Sequence, residues 1–231
     1  MNIQVAILVG LGAAFATPSV AAEPLAQGPR PSGAFVSRLE TLALIETLNA
    51  DLLAGRSATA ILEKWCADHR MSQEPRILAR RAIGVDKPAS AETRKRLQLG
   101  EGEPIKYRRV QLVCGDHVLS EADNWYAPGR LTEEMNRLLD QTETPFGRVV
   151  QALHPFRQTL EARLLWSPLP FGWEMTALPA DGDDRAAGAL VVPHDILEHR
   201  ALLYTADHRP FSEVDETYTS GVLEFEPAQR R

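Results

Sequence analysis

Two adjacent arginines, Arg108 and Arg109, lie in an alternating run that ends at Cys114; a Gly115-Asp116 turn signal follows, and a second run closes at Pro128. The stretch predicts a β-hairpin, whose strands send successive side chains to opposite faces, so the turn decides which charges share a side. With a two-residue turn, Val113 pairs with Val118, Gln111 with Ser120 and Arg109 with Ala122. Arg108 then faces Asp123 with Glu121 beside it, while Arg109 shares its face with Tyr107, Gln111, Val113 and Asn124 and no acid. An unpaired guanidinium on a half-apolar face is costly unless an anion meets it, which makes Arg109 a candidate anion anchor. The plainer alternative is an arginine whose tip reaches solvent. A turn with an odd number of residues reverses the assignment.

A candidate acid lies on the last alternating run, Phe211 to Tyr218. Ser212, Val214, Glu216 and Tyr218 share one face, so Glu216 is the acid with apolar and aromatic neighbours. Burial of that kind raises a carboxyl pKa and suits the group to hydrogen bonding or proton transfer. A partly exposed edge-strand glutamate is the competing reading. Other constellations fail. His194 and His199 lack zinc-hydrolase spacing, Asp181, Asp183 and Asp184 lack the length and closing glutamate of a calcium loop, and Ser120 and Ser212 lack a nucleophile elbow. The glycines form neither a phosphate loop nor a dinucleotide fingerprint. No metal or cofactor is implied.

Composition sets the frame for these residues. The chain has 231 residues, 44% hydrophobic and 24% charged, enough for one domain with a substantial core. A net charge of −6 with no long basic block argues against a nucleic-acid surface. Cys66 and Cys114 form no ligand cluster; a disulfide is open to them in an oxidising compartment, and free buried thiols are the favoured reading. Residues 1–22 combine an apolar run from Ile3 to Ala16 with small residues before Glu23, and so read as a cleaved signal peptide, although no Lys or Arg precedes the run. The expectation is a periplasmic or secreted protein with no membrane span after cleavage, a flexible lead-in over 23–34 and a single domain over 35–226.

Within that domain, periodic leucines and isoleucines predict a helix over Phe35 to Ala54, and Ser57 caps a second through about Asp68. Arg76 to Gly84 alternates as a strand, and Arg80 or Arg81 offers a second cationic contact. Lys87 to Gly102 reads as a loop over the sheet. Thr132 caps a further helix, Thr144-Pro145-Phe146-Gly147 breaks the chain, Leu160 to Trp166 reads as a strand, and Pro168 to Gly188 as a surface loop. His199 to Tyr204 and Phe211 to Tyr218 form a second hairpin.

Three segments together carry a resemblance: Arg108 to Asp116 (RRVQLVCGD), Thr144 to Val150 (TPFGRVV) and, more loosely, His208 to Tyr218 (HRPFSEVDETY). Over roughly residues 48 to 220 the chain resembles chorismate pyruvate-lyase, which splits chorismate into 4-hydroxybenzoate and pyruvate, in a superfamily that includes ligand-sensing domains of bacterial transcription regulators. The resemblance implies an α+β fold with an antiparallel sheet of about six strands and helices packed on one face. It implies that Arg109 binds an aromatic carboxylate, that the Phe146 backbone lines the pocket, and that a last-strand acid contacts the ring oxygen. That acid is Asp215 counting from the proline and Glu216 by the acid-x-aromatic pattern; the more apolar face selects Glu216. The chain departs from the family at Asn124, where a further arginine is expected, and in its export signal, since chorismate is cytoplasmic.

Three functions follow as expectations. The first is a chorismate lyase-like enzyme in which Arg109 orients the substrate and Glu216 hydrogen-bonds or protonates the leaving oxygen, with no cofactor. The second is a non-catalytic binder of a small carboxylated aromatic ligand. The third is an envelope protein with a protein partner, anchored through Trp125, Trp166 or Trp173, for which the core is the simpler place.

Overall fold

Four helices each begin at a hydroxyl side chain that accepts from the backbone three residues on, which satisfies one of the orphan N–H groups of a first turn. Ser32 caps α1 (Gly33–Ala54), Ser57 caps α2 (Ala58–Asp68), Ser90 caps α3 (Ala91–Arg96) and Thr132 caps α4 (Glu133–Gln141). The helix α3 falls inside the stretch read as a loop; at six residues it is too short for periodicity to show. A one-turn helix, α5 (Phe146–Val149), follows the Thr-Pro break and runs into a 3-10 turn at Val150–Leu153. The computed structural model describes residues 32–177 and 189–225. The signal-peptide reading over 1–22, nearly all of the lead-in, and Asp181, Asp183 and Asp184 therefore lie outside the described residues; the described end of the lead-in is already helical from Gly33.

Six strands follow the two hairpins and the alternating runs: β1 (Ile77–Arg81), β2 (Lys106–Cys114), β3 (His117–Tyr126), β4 (Phe156–Leu164), β5 (Asp195–Tyr204) and β6 (Pro210–Thr219). They form one antiparallel sheet in the order β1-β2-β3-β6-β5-β4, so the two hairpins meet at the central β3–β6 pair. The architecture is α+β, as expected. One face carries the main core, where Ile45, Leu48 and Leu52 of α1, Leu62 and Trp65 of α2 and Leu139 of α4 pack on Leu112, Leu119 and Phe211. The other face is covered in part by α3 and the chain around it, through Leu97, Trp125 and Leu202.

One irregularity changes the reading of the first hairpin. Val113 pairs with Val118 as expected, but Leu112 then pairs with Ser120, so Leu119 is an extra residue in β3. Beyond this bulge every partner moves by one, and Arg109 faces Asp123 while Arg108 faces Asn124. A one-residue slip exchanges the two faces of a strand relative to its partner. The faces of Arg108 and Arg109 are the reverse of those expected from an unbroken ladder.

Cys66 and Cys114 are both fully buried and are joined as a disulfide with their Cα atoms 6.3 Å apart, which corrects the expectation of free thiols. Neither periodicity nor spacing shows that the end of α2 lands on the end of β2. The bridge closes a loop of 48 residues, which the chain-entropy account values at about 4 kcal/mol. Replacing both cysteines with alanine is expected to lower unfolding stability by about 2–4 kcal/mol in urea titration, and thiol reduction of the wild type to do much the same. A reduced wild type as stable as the oxidised form would contradict this.

Candidate functional site

On the helix-covered face, the strands open into a cavity of about 60 Å³. Its floor is apolar, with Val110, Leu112, Ala122, Leu203 and Val214. Polar groups enter from separate elements: Arg108 from β2, Asn124 from β3, Arg157 from β4 and Glu216 from β6. The first turn of α2 and the start of α5, with Phe146 and Gly147, close the remaining side.

Arg108 is 5% exposed. Its Nη2 donates to the Thr144 carbonyl at 3.2 Å, while Nε and Nη1 are buried and find no acceptor among the described residues. Burial, and then repulsion from Arg81, pulls its pKa from 12.5 down to about 10, which leaves it cationic at neutral pH. This is an incompletely paired guanidinium on an apolar wall.

Arg109 has the opposite surroundings. On the outer face it donates to Glu121 at 2.9 Å and to Asp123 at 3.2 Å. Asp123 also accepts from Lys87 at 2.7 Å and from the Tyr107 hydroxyl at 2.6 Å, and these donors outweigh burial to hold its carboxyl below the usual range. The expectation that Arg109 lacks an acidic partner is therefore corrected, and Arg109 does not line the cavity. Arg80 and Arg81, offered as a second cationic contact, do not line it either.

Glu216 and Phe146 do line it. Glu216 is 5% exposed and accepts from Arg157 at 2.5 Å and from the Tyr218 hydroxyl at 3.1 Å. Asp215 points to the other face and pairs with Arg200 at 2.7 Å, so geometry separates the two acids that the sequence left as alternatives. Burial opposes the charge on Arg157, but Glu216 and Tyr218 overcome it and raise its pKa. Burial, reinforced by Glu216, pushes the Tyr218 phenol well above its ordinary value. Behind Glu216 in the ladder sits His199, fully buried, with Nε2 at 2.9 Å from Asn49 Oδ1 and its pKa lowered by burial. Asn124, which stands where the lyase resemblance predicts an arginine, accepts from Ser212 at 2.6 Å. The second cation comes instead from Arg157. Sequence reasoning missed it because its role depends on β4 joining the far edge of the sheet, and nothing local to Phe156-Arg157 signals that.

Gly147 packs so closely on α2 that a Cβ there would lie 2.9 Å from Ser57 Oγ and 3.0 Å from Thr59 Oγ1. Gly147→Ala is expected to push α5 off the α2 cap and cost about 1–3 kcal/mol, measurable in urea. An unchanged midpoint would show that the two hydroxyls swing aside.

No protein-family model matches the chain. An uncharacterized protein of Sinorhizobium fredii, y4mC, is 50% identical over 206 residues, covering 88% of this chain and 85% of that one. The chain belongs to the y4mC family. Among solved structures, this y4mC-family protein is similar to a possible transcriptional regulator, YydK of Bacillus subtilis, with TM-score 0.39 and 13% identity over 67% of this chain; the chain spans 62% of that protein's length. It is also similar to the effector domain of PhnF from Mycobacterium smegmatis (TM-score 0.44, 11% identity, 71% of this chain, 88% of that one). A third is the C-terminal domain of the histidine utilization repressor of Pseudomonas syringae (TM-score 0.38, 13%, 68% and 100%). At these scores nothing about activity or ligand follows for the y4mC-family protein. The expectation of export is corrected: the solved structures to which the chain is similar are of regulators and a regulator's effector domain. The stretch read as a signal peptide lies outside the described residues, among which no helix is long and apolar enough to cross a membrane.

Proposed function

We propose that the cavity binds a small carboxylated ligand, an aromatic acid, with Arg108 as the anion anchor. The observation that carries this reading is the Arg108 guanidinium, buried on a mostly apolar wall with two of its three nitrogens lacking an acceptor among the described residues. A buried cation without its counter-charge costs free energy that an incoming carboxylate recovers through charge-assisted hydrogen bonds. Val110, Leu112 and Val214 offer the apolar surface an aromatic ring needs. The test is calorimetric titration of the protein with 4-hydroxybenzoate, with cyclohexanol as an uncharged control. Saturable binding of the acid alone supports the reading; no binding of the acid, or equal binding of the alcohol, counts against it.

The reading predicts a pH profile. The ligand's carboxyl ionises near pH 4 and Arg108 holds its proton to about 10, so affinity should be level from pH 6 to 9. It should weaken as pH falls through about 4, where the carboxylate takes up a proton, and again as pH rises above about 10, where Arg108 gives one up. The stability sign is the reverse for Arg108. Its folded pKa lies below its unfolded one, so its cost to the fold is present below about 10 and is relieved between there and 12.5.

A second reading, elimination of pyruvate from chorismate, is favoured by Glu216 and Arg157 sharing the cavity with Arg108. In that reaction the ring–ether bond breaks, the ring loses a proton and aromatises, and negative charge develops on the departing ether oxygen. Glu216 already accepts from Arg157 and Tyr218, so its part is to hold the Arg157 guanidinium at the cavity, where Arg157 donates to the developing charge. Absorbance of 4-hydroxybenzoate separates the readings: its formation above the spontaneous rate, lost in Arg108→Ala, supports the lyase. Binding without turnover leaves the binder.

A further inference from the structure

The sheet has two outer edges, and the fold treats them differently. At β1 the edge is covered: the Ala79 N–H donates to the Glu143 carbonyl at 2.8 Å, and the Arg81 guanidinium donates to the Asp140 carbonyl. β4 pairs with β5 on one side, and on its other side no element among the described residues hydrogen-bonds to its backbone. Leu160, Glu161, Ala162, Arg163 and Leu164 are all exposed. A row of unpaired N–H and C=O groups is a template for another strand, and proteins that keep such an edge single blunt it with lysine, proline or a bulge. β4 has its bulge at Leu160, but Glu161 to Leu164 run in regular register with Arg200 to Leu197 and include neither lysine nor proline.

The charges on that edge complement themselves in one register. Two copies related by a two-fold axis perpendicular to the sheet run antiparallel and keep the same face up, so each residue meets one from its own face of the strand. Glu161 and Arg163 share the outer face, where Arg163 Nε lies 3.2 Å from Glu161 and Nη2 2.7 Å from Glu198. Centring the pair on Glu161 or on Arg163 sets a charge against its own copy. Centring it on Ala162 puts Glu161 of each copy opposite Arg163 of the other, with the small Ala162 on the axis and Leu160 opposite Leu164. We propose that β4 joins β4 of a second copy in this register, so that two six-stranded sheets run on as one. β4 also carries Arg157 into the cavity, and the joint braces the strand that presents it.

The experiment is sedimentation velocity on the full chain at tens of micromolar, with two variants that each reverse one exposed charge, Glu161→Arg and Arg163→Glu. The wild type is expected to sediment as a dimer. Each variant alone sets like charges across the axis and should dimerise about tenfold more weakly. Mixed in equal amounts, the two variants should form a heterodimer at least as tight as the wild-type dimer, since every opposed charge is then met by its opposite. Ala162→Cys gives an independent reading. Opposed Cα atoms in an antiparallel pair lie about 4.5–5.5 Å apart, within disulfide reach, so mild oxidation should yield a covalent dimer on a non-reducing gel. A monomeric wild type overturns the proposal. So does a dimer that both charge variants leave intact, or an Ala162→Cys protein that stays a single chain on oxidation.

Discussion

Replacing Arg108 with methionine is expected to abolish binding of 4-hydroxybenzoate while leaving the protein as stable as before, or more stable. The two halves of that result come from the same geometry. Arg108 is buried, its one hydrogen bond goes to the Thr144 carbonyl, and repulsion from Arg81 adds to its desolvation cost. Methionine keeps the apolar stem and removes the charge, so the folded state sheds a penalty. Bound ligand loses its counter-charge, and truncating one side of a buried charged contact costs about 2–5 kcal/mol, or roughly 30-fold to several-thousand-fold in affinity. Arg109→Met should do the converse: affinity stays within about twofold, and the outer-face cluster with Glu121 and Asp123 loses a half-exposed partner. An Arg108→Met protein with wild-type affinity would remove the anchor; one that unfolds would show that Arg108 is held by structural contacts after all.

Glu216→Ala is expected to be the most destabilising single change at the site. Arg157 and Glu216 are side chains exposed by only 5% and 7%, paired at 2.5 Å. Removing the acid leaves a buried guanidinium whose Nε already lacks an acceptor, and takes the acceptor from the Tyr218 hydroxyl as well. Breaking such a pair from one side costs about 3–5 kcal/mol, whereas replacing both members with apolar residues is often neutral. The double variant Glu216→Leu/Arg157→Met should therefore recover most of the loss, as read by urea unfolding followed by circular dichroism. A Glu216→Ala midpoint close to wild type, or a double variant worse than the single, would contradict the account of this pair.

The elements were legible where local chemistry decides them. Ser57 and Thr132 announce their helices because a hydroxyl ahead of an apolar periodic run satisfies first-turn N–H groups wherever it occurs. The face of Glu216 was legible because β6 alternates from Val214 to Tyr218, with Asp215 and Thr217 less buried than the residues between and beside them. Arg108 and Arg109 were not separable, because one extra residue, Leu119, reverses the parity beyond the turn, and a bulge has no residue signature as strong as a glycine turn. Arg157 and the Cys66–Cys114 bridge were illegible for a different reason. Both depend on segments remote in sequence meeting in space: β4 reaching Glu216 across the edge of the sheet, and the end of α2 lying over the end of β2. The resemblance to chorismate pyruvate-lyase brought attention to the right hairpin and one arginine away from the one that lines the cavity.

The most direct test of the central claim is a crystal structure of the protein with 4-hydroxybenzoate. The account predicts the ligand in the cavity between β2, β3 and β6, its carboxylate about 2.7–3.2 Å from Nε or Nη1 of Arg108 and its ring against Val110 and Val214. Ligand bound on the outer face beside Arg109, or an Arg108 guanidinium that the carboxylate does not touch, would contradict it.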